Sequence, residues 1–139
     1  LTDEDTCTAG LDDHRDMQSP LAPYAPYIYA LLRIVAGLLF AQHGAQKLFG
    51  WLGASSAVPL LSQRGLAGVI EFCGGLAIAV GAFTSPIAFL ASGQMAVAYF
   101  LAHLPRGVWP IQNGGELAAL YCFLFLYIAA AGSGKWSVR

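Results

Sequence analysis

The feature that most constrains this chain is an apolar run of 23 residues, Tyr27 to Phe49, in which only Arg33 and Lys47 carry a charge. A helix of that length is about 35 Å long. The hydrocarbon core of a bilayer is about 30 Å thick, so the run is long enough to cross it. The sequence therefore predicts a transmembrane helix at about 27–49.

Three shorter apolar runs follow the first, and each is bounded by glycine, proline or serine. They predict further membrane spans at about 66–83, 87–104 and 116–131. The composition agrees, since 57% of the residues are hydrophobic and 11% are charged, against roughly 25% charged in a soluble domain. The predicted fold class is all-α, an integral membrane up-down bundle of four transmembrane helices formed by residues 21–139.

The first 20 residues have a different character from the rest of the chain. They hold six of the eight acidic residues and one arginine, with few large apolar side chains. Such a segment cannot bury enough apolar surface to offset the entropy of ordering it. We predict an acidic N-terminal arm, disordered or ordered by a partner, over residues 1–20.

Composition and cysteine spacing exclude several classes of protein. The basic residues of the apolar part are scattered singly, so no basic face for nucleic acid is predicted. Cys7, Cys73 and Cys122 form neither a C-x-x-C pair nor an even-numbered framework, so neither a zinc site nor a disulfide scaffold is indicated.

The predicted topology gathers the costly polar residues at one depth. In an up-down bundle, one membrane interface lies away from the chain ends. At that interface the first and third spans end, and the second and fourth spans begin. An ionisable group inside a bilayer costs about 2.5–3.5 kcal/mol, so polar residues in spans indicate function or pairing. We predict that one polar pocket near that interface holds the candidate ligand-binding or proton-handling residues His43, Lys47, Glu71, His103, Asn113 and Glu116.

Glu71 is the most informative of these residues. Gly68 and Gly75 lie three before it and four after it, so another helix can approach closely along the same face. Glu71 should then face the interior and pair with Lys47 or Arg106. The pair could serve only to fix the helix register, or it could handle protons or bind a ligand.

Asn113 and Glu116 have the spacing of a capping box, with Asn113 as the N-cap of the fourth helix. Alternatively, the intervening Gly114 and Gly115 would allow a ligand oxygen to approach the start of that helix.

His43 and His103 raise the question of a metal or haem. One histidine per helix, without diagnostic spacing, is more typical of a hydrogen-bonded structural residue. We therefore predict no metal site.

Seven stretches of the chain, taken together, resemble the DoxX family of small bacterial and archaeal membrane proteins. They occur in the order expected for that family and extend from about residue 27 to residue 137. They are Leu32–Phe40, His43-Gly44, Gln46–Gly50, Gly68–Gly75, Ala102-His103, Asn113–Leu117 and Gly134–Ser137.

The resemblance implies a four-helix membrane protein associated with electron transfer. Relatives are linked to quinol oxidases, to thiosulfate:quinone oxidoreductase and to a mycobacterial membrane oxidoreductase complex. The first hypothesis is an accessory or structural subunit of a respiratory or photosynthetic complex, with protein partners in the membrane. The alternative is a subunit that binds quinone in the polar pocket, and transport of a small solute is a third possibility. Whether the chain is itself an enzyme is left open.

The expected location is the bacterial or archaeal cytoplasmic membrane, with lipid as a partner. The basic residues divide almost equally between the two sides, with a slight excess on the side of the chain ends. The positive-inside rule then favours cytoplasmic chain ends.

Overall fold

A computed structural model describes residues 19–138, and all regular secondary structure in that range is helical. Residues 1–18 of the predicted acidic arm lie outside the described residues, whereas Ser19 and Pro20 are described and exposed. The α-helices are α1 (Ala25–Phe49), α2 (Gln63–Val69), α3 (Gly75–Val80), α4 (Thr84–Ala98), α5 (Pro110–Asn113) and α6 (Glu116–Ala131).

Tighter or wider helical turns extend several of these helices. A 3-10 turn over Ala22–Tyr24 leads into α1, and a π-helical turn over Ile70–Gly74 joins α2 to α3. A second π-helical turn, Tyr99–His103, and a 3-10 turn, Leu104–Arg106, prolong α4. Residues 19–138 therefore contain four main helical segments, plus the single turn of α5.

The boundary between the second and third segments differs from the sequence prediction. The second segment is Gln63–Val80 and the third is Thr84–Arg106, where we predict 66–83 and 87–104. Gly81 takes the left-handed conformation at φ 82° and ends α3. Pro86 does not precede the next helix but lies in its first turn, where its missing N–H would have no helical partner anyway.

Three of the helical segments in the described part of the chain are long and apolar enough to cross a membrane: Ala22–Phe49, Gln63–Val80 and Thr84–Arg106. The fourth, α6, is apolar but has 16 residues, or about 24 Å. The structure thus confirms the all-α class for the described residues, and the three long segments are compatible with a membrane protein. That α6 also crosses the bilayer stays a prediction.

Successive segments run in opposite directions, so the structure has two distinct ends. At the terminal end, the Val138 amide donates to the Val80 carbonyl at 3.0 Å, and the rings of Tyr27 and Trp136 lie 5.6 Å apart. We call the opposite end, with the segments 50–62 and 107–115, the loop end.

The bundle is built from two closely packed helix pairs. In the first, α1 crosses α2 and α3 so closely that a Cβ on Gly37 would lie 2.5 Å from the Gly75 carbonyl oxygen. In the second, α4 packs on α6, and the Ser92 hydroxyl donates to the Cys122 carbonyl at 2.7 Å. The ring of Phe40 joins the pairs, with its centroid 4.7 Å from that of Phe125.

The outer surface of the bundle is apolar. Leu31 on α1, Leu90 on α4 and Leu120 on α6 are 53%, 54% and 64% exposed, and many other large hydrophobic residues are exposed as well. Such a surface is too extensive for a soluble monomer and suits contact with lipid. The chain is therefore an integral membrane protein that contacts the bilayer.

Candidate functional site

The centre of the candidate site is an ion pair between α1 and the π-helical turn after α2. Lys47 Nζ contacts both carboxylate oxygens of Glu71 and lies 2.6 Å from Oε2. Glu71 is 1% exposed, whereas the side chain of Lys47 keeps 27% of its surface exposed. The lysine thus connects a buried carboxylate to the surface of the loop end.

Glycines bring the two charged residues within reach of each other. A Cβ on Gly44 would lie 2.3 Å from the backbone nitrogen of Phe72, and one on Gly68 would lie 3.0 Å from Lys47 Cβ. At Gly44 this backbone approach excludes any side chain, whereas at Gly68 a side chain would require Lys47 to shift. Glu71 also lies in a π-helical turn, a feature often found at functional sites. Such a turn points its side chains in other directions than a regular α-helix would.

Gln94 of α4 completes a three-residue group that we call the Glu71 cluster: Lys47, Glu71 and Gln94. Its Nε2 donates to Glu71 Oε1 at 2.8 Å and lies 3.4 Å from the Ala67 carbonyl oxygen. Within the described residues, the buried Gln94 Oε1 has no hydrogen-bond partner. The cluster therefore holds one carboxylate, one ammonium and one amide from three helical segments, and one acceptor is still free.

A second polar group, the His103 group, consists of Tyr99, His103 and Asn113 and also lies at the loop end. His103 Nδ1 is 3.2 Å from the Asn113 carbonyl oxygen, and since a carbonyl only accepts, Nδ1 donates. The rings of Tyr99 and His103 stack with centroids 6.4 Å apart. These contacts fix the histidine between the end of α4 and the short helix α5.

Asn113 organises the segment before α6 rather than capping that helix. Its Nδ2 donates to the Gly107 carbonyl at 2.8 Å, and its Oδ1 accepts from the Gly115 amide at 2.7 Å. The N-cap of α6 is Gly115, with no side-chain cap. The predicted capping box is therefore wrong, because Asn113 ends α5 and its side chain closes a local turn two residues ahead of it.

His43 and Glu116 belong to neither group. Both are exposed, and the ring of His43 lies edge-on to that of Tyr121 with centroids 6.5 Å apart. Of the two predicted partners of Glu71, Lys47 forms the ion pair, whereas Arg106 is exposed.

The six predicted candidates therefore lie at the loop end but are not gathered into one contact group. The structure brings Lys47 and Glu71 together, brings His103 and Asn113 together, and leaves His43 and Glu116 exposed. Among the described residues, no group of three or more His, Cys, Asp or Glu side chains could hold a metal ion. A functional role for the six residues stays a prediction.

At the terminal end, Arg33 forms a buried polar centre that is not among the candidates predicted from sequence. It is fully buried. Its Nη1 donates to the carbonyls of Ile78 and Ala79 at 2.7 and 3.0 Å, and its Nη2 to those of Lys135 and Trp136 at 3.1 and 2.9 Å. Arg33 therefore ties the end of α3 to the C-terminal segment.

Comparison with known proteins relates this arrangement to one family. The DoxX family model matches residues 28–104, which is more than half of the chain. The chain belongs to the DoxX family. An uncharacterized protein of Haemophilus influenzae is 43% identical over 123 residues, covering 82% of this chain and 90% of its own length. No solved structure matches the chain.

The DoxX match contains the whole Glu71 cluster and His103 but not Asn113 or Glu116. Gln94 is not among the six candidates predicted from sequence, although its Nε2 donates to Glu71. A polar residue in the middle of an apolar span was the available signal, but the sequence did not say which helix it would meet.

Proposed function

We propose that this DoxX-family chain is an accessory subunit of a respiratory or photosynthetic electron-transfer complex in a bacterial or archaeal cytoplasmic membrane. One observation carries the proposal. Most polar groups inside the bundle are committed to internal contacts, with Gln94 Oε1 among the exceptions, whereas Gln42 and His43 are exposed on α1 within its apolar length. They precede the end of α1 by six or seven residues, about 9–10 Å.

Because the buried polar side chains bond to groups of the chain itself, few of them are left to bind a substrate inside the bundle. Arg33 donates to four backbone carbonyls, Glu71 accepts from Lys47 and Gln94, and Asn113 bonds the surrounding loop. Exposed polar side chains at this depth are unfavourable against lipid but can hydrogen-bond a neighbouring transmembrane helix. Gln42 and His43 therefore support a protein partner on this face of α1.

The experiment is extraction of the full-length chain in mild detergent from the organism that encodes it. We expect a complex larger than the chain alone, with quinol-oxidising or other electron-transfer activity. The double variant Gln42→Leu/His43→Leu should dissociate from it. The matched control is Gln63→Leu, which removes an exposed amide from the start of α2 and should stay associated.

The proposal fails if the wild-type chain migrates alone. It also fails if the double variant stays in the complex as well as the control does.

A second candidate function, quinone binding, is favoured by the link from surface to interior at the Glu71 cluster. The partly exposed Lys47 ammonium contacts the buried Glu71 carboxylate. An ammonium in that position could donate to a quinone carbonyl, and the carboxylate could pass on a proton.

Quinone binding would be measured as quinone retained by the purified chain or complex. Lys47→Gln should lower it, whereas Arg64→Gln, which removes an exposed cation at the same end, should not. Equal retention in both variants would eliminate this candidate.

A further inference from the structure

Two open grooves lie side by side at the terminal end, between α1 and α6. The first has a volume of about 510 Å³ and includes Tyr29, Tyr127 and Lys135 in its lining. The second has a volume of about 320 Å³ and includes Tyr29, Tyr127 and Leu32. Because Tyr29 and Tyr127 line both, the grooves are continuous. We call them together the terminal groove.

The terminal groove is amphipathic along its length. The first part contains the ammonium of Lys135, whereas the second part is lined mainly by apolar side chains, among them Leu21, Ile28 and Leu32. Ile28 and Leu32 are four apart on α1 and so lie on one face of that helix. A charged end is therefore followed by an apolar channel directed along the membrane-spanning part of α1.

The charged end of the groove is held in a fixed position. Arg33 Nη2 donates to the backbone carbonyls of Lys135 and Trp136, and the Val138 amide donates to Val80. The Lys135 ammonium lies 5.1 Å from the centroid of the Tyr27 ring, within the range of a cation–π contact.

The described part of the terminal end carries positive charge without a carboxylate to balance it. Lys135 is exposed there, and the buried Arg33 is bonded to backbone carbonyls, which carry no net charge. The acidic residues within 19–138 are Glu71 and Glu116, and both lie at the loop end. Among the described residues, the charge near the terminal groove is therefore positive and favours an anion; six further carboxylates lie within residues 1–16, which the structure does not describe.

Exposed aromatic residues near the groove indicate that it lies where lipid headgroups meet acyl chains. Tyr24, Tyr27 and Trp136 are exposed around it, and tyrosine and tryptophan are enriched at the membrane–water interface. A ligand in the groove would thus place its charged part at the interface and its apolar part in the hydrocarbon core.

We propose that the terminal groove binds one anionic phospholipid, with its phosphate at Lys135 and one acyl chain along Ile28, Leu32 and Tyr127. The charge of the groove, its amphipathic order and its depth fit this occupant. A zwitterionic lipid would fill the apolar part but gain less from the positive charge. The proposal is independent of the partner surface at Gln42 and His43, which lie near the opposite end of α1.

The test uses the full-length chain purified in detergent and supplied with phosphatidylglycerol or phosphatidylcholine, with bound lipid counted by native mass spectrometry. The wild-type chain should retain phosphatidylglycerol in preference to phosphatidylcholine. Lys135→Gln should weaken the preference about fivefold, the effect expected for one basic residue near an anionic surface. Arg64→Gln removes an exposed cation at the loop end and should leave the preference unchanged.

A second pair of variants tests the apolar part of the groove. Leu32→Trp should lower retention of both lipids by filling the channel. Leu38→Trp places the same ring at an exposed position about 120° around α1 and should have no such effect.

Three results would overturn the proposal. The first is equal retention of the two lipids by the wild-type chain, and the second is equal behaviour of Lys135→Gln and Arg64→Gln. The third concerns the acidic residues 1–18, which precede Ser19 at the edge of the groove. If phosphatidylglycerol binds only after those residues are deleted, the N-terminal segment is the occupant instead.

Discussion

Each end of the bundle buries one charged side chain, and the two side chains differ in the groups that hydrogen-bond to them. At the terminal end, Arg33 donates to four backbone carbonyls. At the loop end, Glu71 is satisfied by the side chains of Lys47 and Gln94. Backbone partners are fixed by the fold, whereas side-chain partners can move or be exchanged. The Arg33 centre is therefore suited to holding structure, and the Glu71 cluster is the one that could respond to a ligand.

The largest effect should come from removing the partner of Glu71. We expect Lys47→Met to lower the free energy of unfolding by about 3–5 kcal/mol, because it leaves a buried carboxylate without a counter-charge. Unfolding in mixed detergent micelles measures this effect. The double variant Lys47→Met/Glu71→Leu should recover most of the loss, since an apolar pair needs no compensation. A single variant as stable as wild type would show that Glu71 is not a buried charge.

Arg33→Met should have the next largest effect, about 2–3 kcal/mol, from the loss of charge-assisted hydrogen bonds. It should also release the segment 132–138, measured as faster proteolytic cleavage within those residues.

A pair of exchanges sharpens the contrast between the two charges. Arg33→Lys should behave like Arg33→Met, because one ammonium cannot reach two separate pairs of carbonyls as the guanidinium does. Lys47→Arg should keep most of the stability, since a guanidinium binds a carboxylate well. If Arg33→Lys is as stable as wild type, the two-sided hydrogen bonding of the guanidinium is not required for stability at the terminal end.

Gly44→Ala should weaken the loop end by about 1–3 kcal/mol, the usual range for overpacking. Its Cβ would meet the Phe72 nitrogen at 2.3 Å, so α1 must move away from the π-helical turn that carries Glu71. The control is Gly93→Ala on α4, where an added Cβ meets nothing within 4 Å. Thermal unfolding in detergent compares the two, and similar melting temperatures would contradict the close helix crossing.

The smallest effects should separate Asn113 from Glu116. Asn113→Ala should cost about 1–2 kcal/mol, because it leaves the Gly115 amide and the Gly107 carbonyl without their partner. Glu116→Gln should change stability by less than about 0.5 kcal/mol, as expected of an exposed residue without a side-chain cap. Hydrogen exchange at the start of α6 would measure both. An equal loss of stability in the two variants would instead support a capping box formed by Asn113 and Glu116.

The sequence predicted the residues at the loop end better than their grouping. The depth of Glu71 and Lys47 followed from span lengths and hairpin topology, and their pairing followed from the cost of an unpaired charge in a membrane. The separation of His103 and Asn113 from that pair could not be predicted in the same way. It depends on the π-helical turn at Tyr99–His103 and on the side-chain contacts of Asn113.

By itself, the sequence determined that this chain is an α-helical membrane protein, because its apolar runs have the length of membrane-spanning helices, which satisfy their own backbone in lipid. It also indicated the DoxX family through motifs that extend over all four segments, from about residue 27 to residue 137. Only the tertiary structure decided that Arg33 bonds carbonyls more than 40 residues away and that Gln94 meets Glu71. Every residue carries the same carbonyl group, so a backbone acceptor leaves no mark in the sequence, and only packing selects which one a side chain reaches.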